Sequence, residues 1–342
     1  GTKEGVNYYA LDGQHRLAAI KSLLDRENED LPVPKGFGNE EVSVLIVVPN
    51  KQSQREFLEG YRRLFSSLNR HAKPTKMHTN IIMDEDDVYA ILTRRLISGH
   101  KFFQFEGRDG EHSVVKTDAG EQLSSNVTYF TTITTLYKIN TRLLLSPTRI
   151  ANGDADKSFL QIRPDEEVID NLYAELALYW DCLLETIDDL KNNPGTMRQH
   201  SANNGEEIQD HMFFWPIGQH LLARIARDLL SESKRIRDPD NPTAKSVKNA
   251  LRPLQLIDWS LHSPPWAHFV LVPSSAAPFW KMRNEDRKQV MEHAYIMLRW
   301  LTCLDDWDDE TFEEMRNEWK FRLSPPMDNT EEVQIWEALK KK

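Results

Sequence analysis

Residues 11–20 read LDGQHRLAAI, which places an acid, a glycine, an amide, an imidazole and a guanidinium on one predicted turn. A β-branched and aromatic run at residues 6–11 precedes this turn, and apolar residues recur at helical spacing after it. The pattern predicts a strand, a turn and a helix in succession. Asp12 is the predicted N-cap of the helix, and Gly13 lets a ligand approach the backbone closely.

The start of this predicted helix is suited to binding an anion. Backbone N–H groups in the first turn of a helix have no partner within the helix, and the helix dipole is positive at that end. Arg16 adds a planar guanidinium that fits phosphate oxygens. The alternative is a structural role, in which Asp12 caps the helix, Arg16 is solvated and His15 packs on the strand.

The string Asp12-Gly13-Gln14-His15-Arg16 resembles the motif of the DGQHR-domain family. The DndB-type members of that family are DNA sulfur modification proteins of bacterial defence. The family is distantly similar to ParB-like nucleotide-binding domains and to proteins with a DGQQR motif. The resemblance implies an α/β domain of ParB-like type that binds nucleotide or phosphate through Gly13, Gln14 and Arg16.

A second segment carries the same resemblance. An aromatic residue near the end of a predicted helix is followed by Asn69, Arg70 and Lys73-Pro74. This order looks like the second recurring segment of such proteins, which faces the first motif across a pocket. By resemblance, Asn69, Arg70 and Lys73 complete the nucleotide or phosphate site.

Length and composition are those of a globular chain large enough for two domains, with 342 residues, 39% hydrophobic and 28% charged. No apolar run approaches the roughly 20 residues that span a bilayer, and we expect no secretory leader, so the sequence predicts a cytoplasmic protein without membrane contact. Cys182 and Cys303 are predicted to be buried free thiols, and no Cys/His cluster predicts a metal site. Because few residues precede the motif strand, we expect the ParB-like domain to be incomplete at its N-terminus.

Charged and aromatic residues are distributed unevenly along the chain, whose net charge is −10. Residues 1–150 hold 20 Lys and Arg against 19 Asp and Glu, whereas residues 151–342 hold 23 against 34. All nine tryptophans lie between residues 180 and 336. We therefore predict a ParB-like α/β domain over residues 1–150, followed by a mostly α-helical, Trp-rich and acidic domain over residues 151–342.

Periodicity predicts the remaining elements. In the first half these are a buried strand at 42–48, an amphipathic helix at 51–68, a helix opened by the acidic run 84–87, a hairpin pairing 102–105 with 113–116, and a helix at 126–145. In the second half they are helices at 164–190, 213–230, 285–304, 311–323 and 331–341, around an irregular aromatic region. The tryptophans are predicted to build a core and a lid, and the alternative is aromatic stacking with nucleic-acid bases.

The first functional hypothesis, implied by the resemblance, is a DNA-binding transcriptional regulator or accessory factor of DNA phosphorothioation that works beside other DNA-modification proteins. Residues 51–80 form the one basic segment, with seven Lys and Arg against two Glu. Arg62, Arg63 and Lys76 are the predicted contacts to DNA phosphates. One short segment supplies few contacts, so a homo-oligomer is expected to supply more. The alternative for these residues is an ordinary solvated helix face.

The second hypothesis is an enzyme, an NTPase or nuclease-like protein that uses the motif pocket. Asp12 would bind a magnesium ion or orient water, and His15 would act as a general acid or base. Its cofactor would be an NTP with Mg²⁺, although His15 replaces the glutamine of DGQQR proteins, which leaves hydrolysis open. A third hypothesis is an interaction scaffold whose acidic half docks partner proteins, in which replacing Arg16 leaves function intact.

Overall fold

The computed structural model describes residues 14–25, 33, 36–42, 44, 46, 54–69, 75–104, 114–123, 128–156, 159–192, 194, 197–198, 210–232, 236, 242–275, 280–284 and 286–340, with the backbone alone at 14–16, 54, 68–69 and 159. These residues are mostly helical, with two small sheets. The chain divides into two compact units, residues 1–76 with 83–85, and residues 77–82 with 86–342. Residue 150 lies inside the second unit, and the division into domains 1–150 and 151–342 stays a prediction.

The first unit contains helix α1 (Gln14–Leu24), a 3-10 helix (Phe37–Asn39) and helix α2 (Gln54–Asn69). The predicted motif helix and the predicted amphipathic helix are both confirmed. Gly36 enters the 3-10 turn with φ at 89°, a left-handed conformation that glycine adopts without a Cβ clash.

The buried strand predicted at residues 42–48 is not found among the residues that are described there. Val42, Val44 and Ile46 belong to no strand, and their side chains are 62%, 71% and 67% exposed. An apolar β-branched run favours extended backbone, but a strand also needs a partner for its N–H and C=O groups. The apolar β-branched residues at 42–48 were therefore not sufficient to predict a buried strand.

Among the residues described, the rest of the chain contains ten α-helices, four short 3-10 helices and four strands. The helices are α3 (Met77–Met83), α4 (Val88–Gly99), α5 (Ile133–Leu144), α6 (Pro147–Ala151), α7 (Glu166–Thr186), α8 (Pro216–Glu232), α9 (Ala244–Leu251), α10 (Arg287–Leu301), α11 (Asp309–Phe321) and α12 (Asn329–Lys340). The strands are β1 (Val115–Lys116), β2 (Thr131–Thr132), β3 (Leu271–Pro273) and β4 (Trp280–Met282). The helices predicted in the second half are confirmed with ends shifted by a few residues.

The core of the second unit forms where α5 packs between α4, α7 and α8. A polar triad joins three of these helices. Asn140 of α5 donates its amide N–H to Thr93 Oγ1 of α4 at 3.0 Å and accepts the indole N–H of Trp180 of α7 at 2.9 Å. All three side chains are buried, and the two hydrogen bonds offset the cost of removing these polar groups from water.

Side-chain caps begin α4 and α5, and for α4 the cap comes from the predicted acidic run. Asp87 Oδ1 accepts the N–H groups of Tyr89 and Ala90 at 2.9 and 3.2 Å, which satisfies two first-turn donors of α4. Thr132 Oγ1 accepts the N–H of Thr135 at 3.1 Å and caps α5. The helix predicted from residue 126 therefore begins only at residue 133, after the two residues of β2.

The predicted hairpin between residues 102–105 and 113–116 is wrong. Residues 101–104 form a turn after α4, and β1 pairs in parallel with β2 in the register Val115 to Thr131. Phe102 and Phe103 meet the rings of Phe130 and Trp180 edge to face, with centroids 5.2 and 5.0 Å apart. Their aromatic character thus reflects core packing rather than strand pairing. The predicted turn at 107–110 lies outside the described residues.

Further differences concern the aromatic region and the cysteines. Within the region predicted to be irregular, β3 pairs with β4 antiparallel, with Leu271 opposite Met282. Cys182 is a buried free thiol as predicted, but Cys303 is exposed, because it lies just past the end of α10 with φ at 56°. The predicted tryptophan core is confirmed for the fully buried side chains Trp180, Trp266, Trp319 and Trp336.

Candidate functional site

The first motif lies at the start of α1. Asp12 and Gly13 lie outside the described residues, and the backbone of Gln14, His15 and Arg16 forms the first turn of the helix. The helix therefore begins directly after the Asp-Gly pair, where the sequence predicted it. Its first N–H groups have no carbonyl partner within the helix.

The second motif segment begins where α2 ends. Asn69 is the last residue of α2, while Arg70 and Lys73 lie outside the described residues. The sequence predicted that a helix ends just before the polar residues of this segment, and α2 ends at Asn69. That this segment faces the first motif across a pocket stays a prediction.

The polar face of α2 carries the predicted DNA contacts Arg62 and Arg63. Arg62 Nη1 donates to Glu85 Oε1 at 3.1 Å, and the Glu85 side chain is only 5% exposed. Arg63 is exposed, and so is Lys76 in the segment that follows α2. Arg55, the second residue of α2, donates to Glu59 Oε1 at 3.2 Å. Arg62 therefore pairs with a buried carboxylate, and the side chains of Arg63 and Lys76 are exposed.

Sequence reasoning missed the role of Glu85. The acidic run at 84–87 was interpreted as capping, which Asp87 performs, whereas Glu85 pairs with Arg62 from 23 residues earlier in the chain. A pairing at that separation leaves no local periodic signal, so the sequence offered no means of finding it.

The opposite face of α2 is aromatic. Phe57, Tyr61 and Phe65 follow one another at a spacing of four residues, and both pairs of ring centroids are 6.5 Å apart. Residues at this spacing lie on one face of a helix. The basic and aromatic sides of α2 are thus separated, as its amphipathic pattern predicted.

A second polar region was not identified from the sequence. It is a groove of about 630 Å³ between α5, α6, α8 and α10, with Lys138, Arg142, His220 and Arg224 in its lining. The signal that could have identified it is the spacing of these residues. Lys138 and Arg142 are four residues apart on α5, and His220 and Arg224 are four apart on α8, so each pair lies on one helix face.

No three His, Cys, Asp or Glu side chains converge as a metal site in the part of the chain that is described. His200 lies outside this part, His211 is buried, and His220 contacts Glu121 at 2.8 Å. Burial lowers the pKa of His211 to about 4. None of the helices described has both the length and the hydropathy needed to cross a membrane.

Comparison with protein families gives one match. A family model described as DndB: DNA-sulfur modification-associated matches residues 3–300. The match includes both motif segments and continues through most of the helical second unit. Searches of curated proteins and of solved structures each found no match.

Proposed function

The chain belongs to the DndB family of DNA-sulfur modification-associated proteins, and from this premise we propose that it is a DNA-binding regulator or accessory factor of a DNA phosphorothioation system. The family implies a component of a DNA sulfur modification system, whose other proteins and DNA are its expected partners. The proposed role places the chain with the DNA in the cytoplasm. A ParB-like fold for the first domain, which the motif resemblance implies, is part of the proposal.

The observation that supports DNA binding is the basic side of α2 and the segment after it. Arg63 and Lys76 are exposed, and they belong to a segment, residues 51–80, with seven Lys and Arg against two Glu. Exposed cations near a duplex neutralise phosphates and release condensed counterions, which contributes sequence-independent affinity. A chain with a net charge of −10 needs such a local concentration of positive charge to approach DNA.

DNA binding is tested with the double variant Arg63→Gln/Lys76→Gln. Removing one cation that neutralises a phosphate lowers the slope of log affinity against log salt by about 0.9, so we expect the slope to fall by about 2 and the affinity at low salt to fall at least tenfold. The measurement is fluorescence anisotropy with a duplex of about 20 base pairs at several salt concentrations. Arg62 is left unchanged because it pairs with Glu85.

The matched control is Arg252→Gln/Lys245→Gln, which removes an exposed arginine and an exposed lysine of the second unit. It changes the net charge by two, as the double variant does, without touching α2. Equal losses in the control and the double variant, or an unchanged slope in the double variant, would contradict the proposed contacts.

A second candidate function is nucleotide binding, with or without hydrolysis, at the motif. The observation that favours it is the start of α1 directly after Asp12-Gly13, which leaves first-turn N–H groups available to an anion. In this proposal Asp12 and His15 are the catalytic pair. The nucleotide or phosphate ligands are Gly13, Gln14, Arg16, Asn69, Arg70 and Lys73.

The nucleotide proposal is tested by calorimetric titration of the chain with ATP, GTP and CTP in the presence of Mg²⁺. We expect Arg16→Ala to abolish nucleotide binding at the motif, because it removes the guanidinium at the helix start. If the folded Arg16→Ala variant binds the nucleotide as the unaltered chain does, the nucleotide site does not lie at the motif.

A further inference from the structure

The groove between α5 and α8 combines a basic side with an apolar floor. Its volume of about 630 Å³ lies within the range of small-ligand sites, roughly 300–1,000 Å³. The side chains of Leu145, Leu221 and Met291 form part of the apolar lining. All of the lining residues belong to the second unit.

One carboxylate orders part of the basic side. Glu121 accepts from Lys138 Nζ with one oxygen and contacts His220 Nε2 with the other at 2.8 Å. The hydrogen bond with His220, assisted by Lys138, lowers the pKa of Glu121 to about 2. Glu121 is therefore ionised at neutral pH and holds two groove residues from different helices in place.

Arg224 is fixed on the same side by two contacts. Its guanidinium donates to both oxygens of Glu292 at 2.6 and 2.8 Å and stacks on the Tyr295 ring at 3.3 Å from the centroid. The guanidinium of Arg224 therefore keeps a defined orientation, because its N–H groups bind Glu292 and its planar face packs on the Tyr295 ring.

Arg142 differs from its neighbours. Its side chain lines the groove and is exposed, and among the described residues it makes no hydrogen bond or ion pair. Lys138 pairs with Glu121 and Arg224 pairs with Glu292. The positive charge of Arg142 is therefore the one that no carboxylate in the groove balances. Like charges four residues apart destabilise a helix slightly, and Arg142 lies four residues after Lys138.

We propose that this groove binds an organic phosphate, with the phosphoryl group at Arg142 and Lys138 and the apolar part of the ligand on Leu145, Leu221 and Met291. The ligand is a nucleotide, either free or as a unit of a single-stranded nucleic acid, since both present a phosphate beside an apolar ring. The guanidinium of Arg142 supplies the bidentate contact that phosphate oxygens favour. The proposal requires neither the motif at α1 nor DNA binding by α2.

The charge of the second unit supports this assignment. That unit carries 41 Asp and Glu against 31 Lys and Arg, so its net charge repels an anion. The groove reverses this sign locally, because Lys138, Arg142 and Arg224 stand against the carboxylates of Glu121 and Glu292. Such a reversal favours an anion in the groove.

The test titrates the full chain calorimetrically with ATP, with adenosine and with a single-stranded oligonucleotide of about eight residues. We expect ATP, the oligonucleotide or both to bind, and adenosine, which lacks a phosphate, to bind at least tenfold more weakly than ATP. We expect Arg142→Gln to weaken the binding probe at least tenfold, which corresponds to about 1.4 kcal/mol. Arg142→Lys, which keeps the charge, should restore part of the loss.

Two further variants separate this site from the others. Arg252→Gln removes an exposed arginine outside the groove and should bind the probe like the unaltered chain. Arg16→Ala, which removes the motif arginine, gives a background in which the loss caused by Arg142→Gln is measured without binding at the motif. Arg142 makes no contact that folding depends on among the described residues, so its variants should unfold at the same temperature. The proposal is overturned if no phosphate probe binds, if adenosine binds as tightly as ATP, or if Arg142→Gln binds normally.

Discussion

Neighbouring residues on α2 have different physical roles although their side chains are alike. Arg62 pairs with the buried carboxylate of Glu85, whereas Arg63 is exposed. Removing Arg62 takes a counterion from a carboxylate that is only 5% exposed, which costs stability. The sequence predicts both arginines as DNA contacts and carries no signal for the pairing of Arg62 with Glu85.

Arg62→Ala should lower the free energy of unfolding by about 1–2 kcal/mol, less than for a fully buried pair because the Arg62 side chain is 42% exposed. Arg63→Ala should change it by no more than about 0.5 kcal/mol. The measurement is urea unfolding followed by far-ultraviolet circular dichroism, since every tryptophan lies beyond residue 179. Adding Glu85→Gln to Arg62→Ala should recover part of the loss. If Arg62→Ala and Arg63→Ala lower the free energy of unfolding equally, the ion pair between Arg62 and Glu85 does not stabilise the fold.

Elements with local signals were predictable from the sequence, and those defined by distant partners were not. Helices α2, α7, α8 and α10 follow apolar periodicity within a single segment, and the start of α4 follows from the capping carboxylate of Asp87. The parallel pairing of β1 with β2 joins residues 16 apart, and no local pattern specifies such a partner. The groove is an intermediate case. The four-residue spacing of its basic residues on α5 and on α8 is visible in the sequence, but their convergence depends on the packing of α5 against α8.

For the candidate site, the sequence predicted a helix start at Asp12-Gly13 and a helix end at residue 68, and the structure has α1 from Gln14 and α2 up to Asn69. Both are backbone features with short-range causes. What these segments bind depends on how side chains from separate segments converge, and the ligand roles assigned through family resemblance stay predictions.

At the scale of the whole molecule, two buried histidines determine part of the response to acid. Burial lowers the pKa of His211 to about 4. Burial also lowers the pKa of His293 to about 4, where the nearby charge of Arg322 acts in the same direction and that of Glu318 acts in the opposite one. The ordinary value of about 6.5 applies in the unfolded chain. The unfolded state therefore binds more protons between pH 6.5 and pH 4, and stability falls as the pH drops through that window.

We expect the free energy of unfolding to be nearly constant between pH 7 and 8. Below pH 6 each histidine should contribute a loss of up to about 1.4 kcal/mol per pH unit. Urea unfolding at pH 7.5, 6 and 5, followed by tryptophan fluorescence, measures this loss. His293→Gln should flatten the dependence, since glutamine does not titrate. A dependence that is the same in the variant and in the unaltered chain would assign the acid sensitivity to other groups.

The polar triad of the core also has a consequence for the order of events in folding. Asn140 lies 47 residues from Thr93 and 40 residues from Trp180 along the chain, so neither hydrogen bond can form until a long loop has closed. Closing such loops loses chain entropy before the contacts return any energy, which slows the search for the native state. Until α4, α5 and α7 pack together, the polar groups of Thr93, Asn140 and Trp180 stay hydrated, and the helices stabilise one another little. We therefore expect the second unit to fold in one late, cooperative step rather than helix by helix.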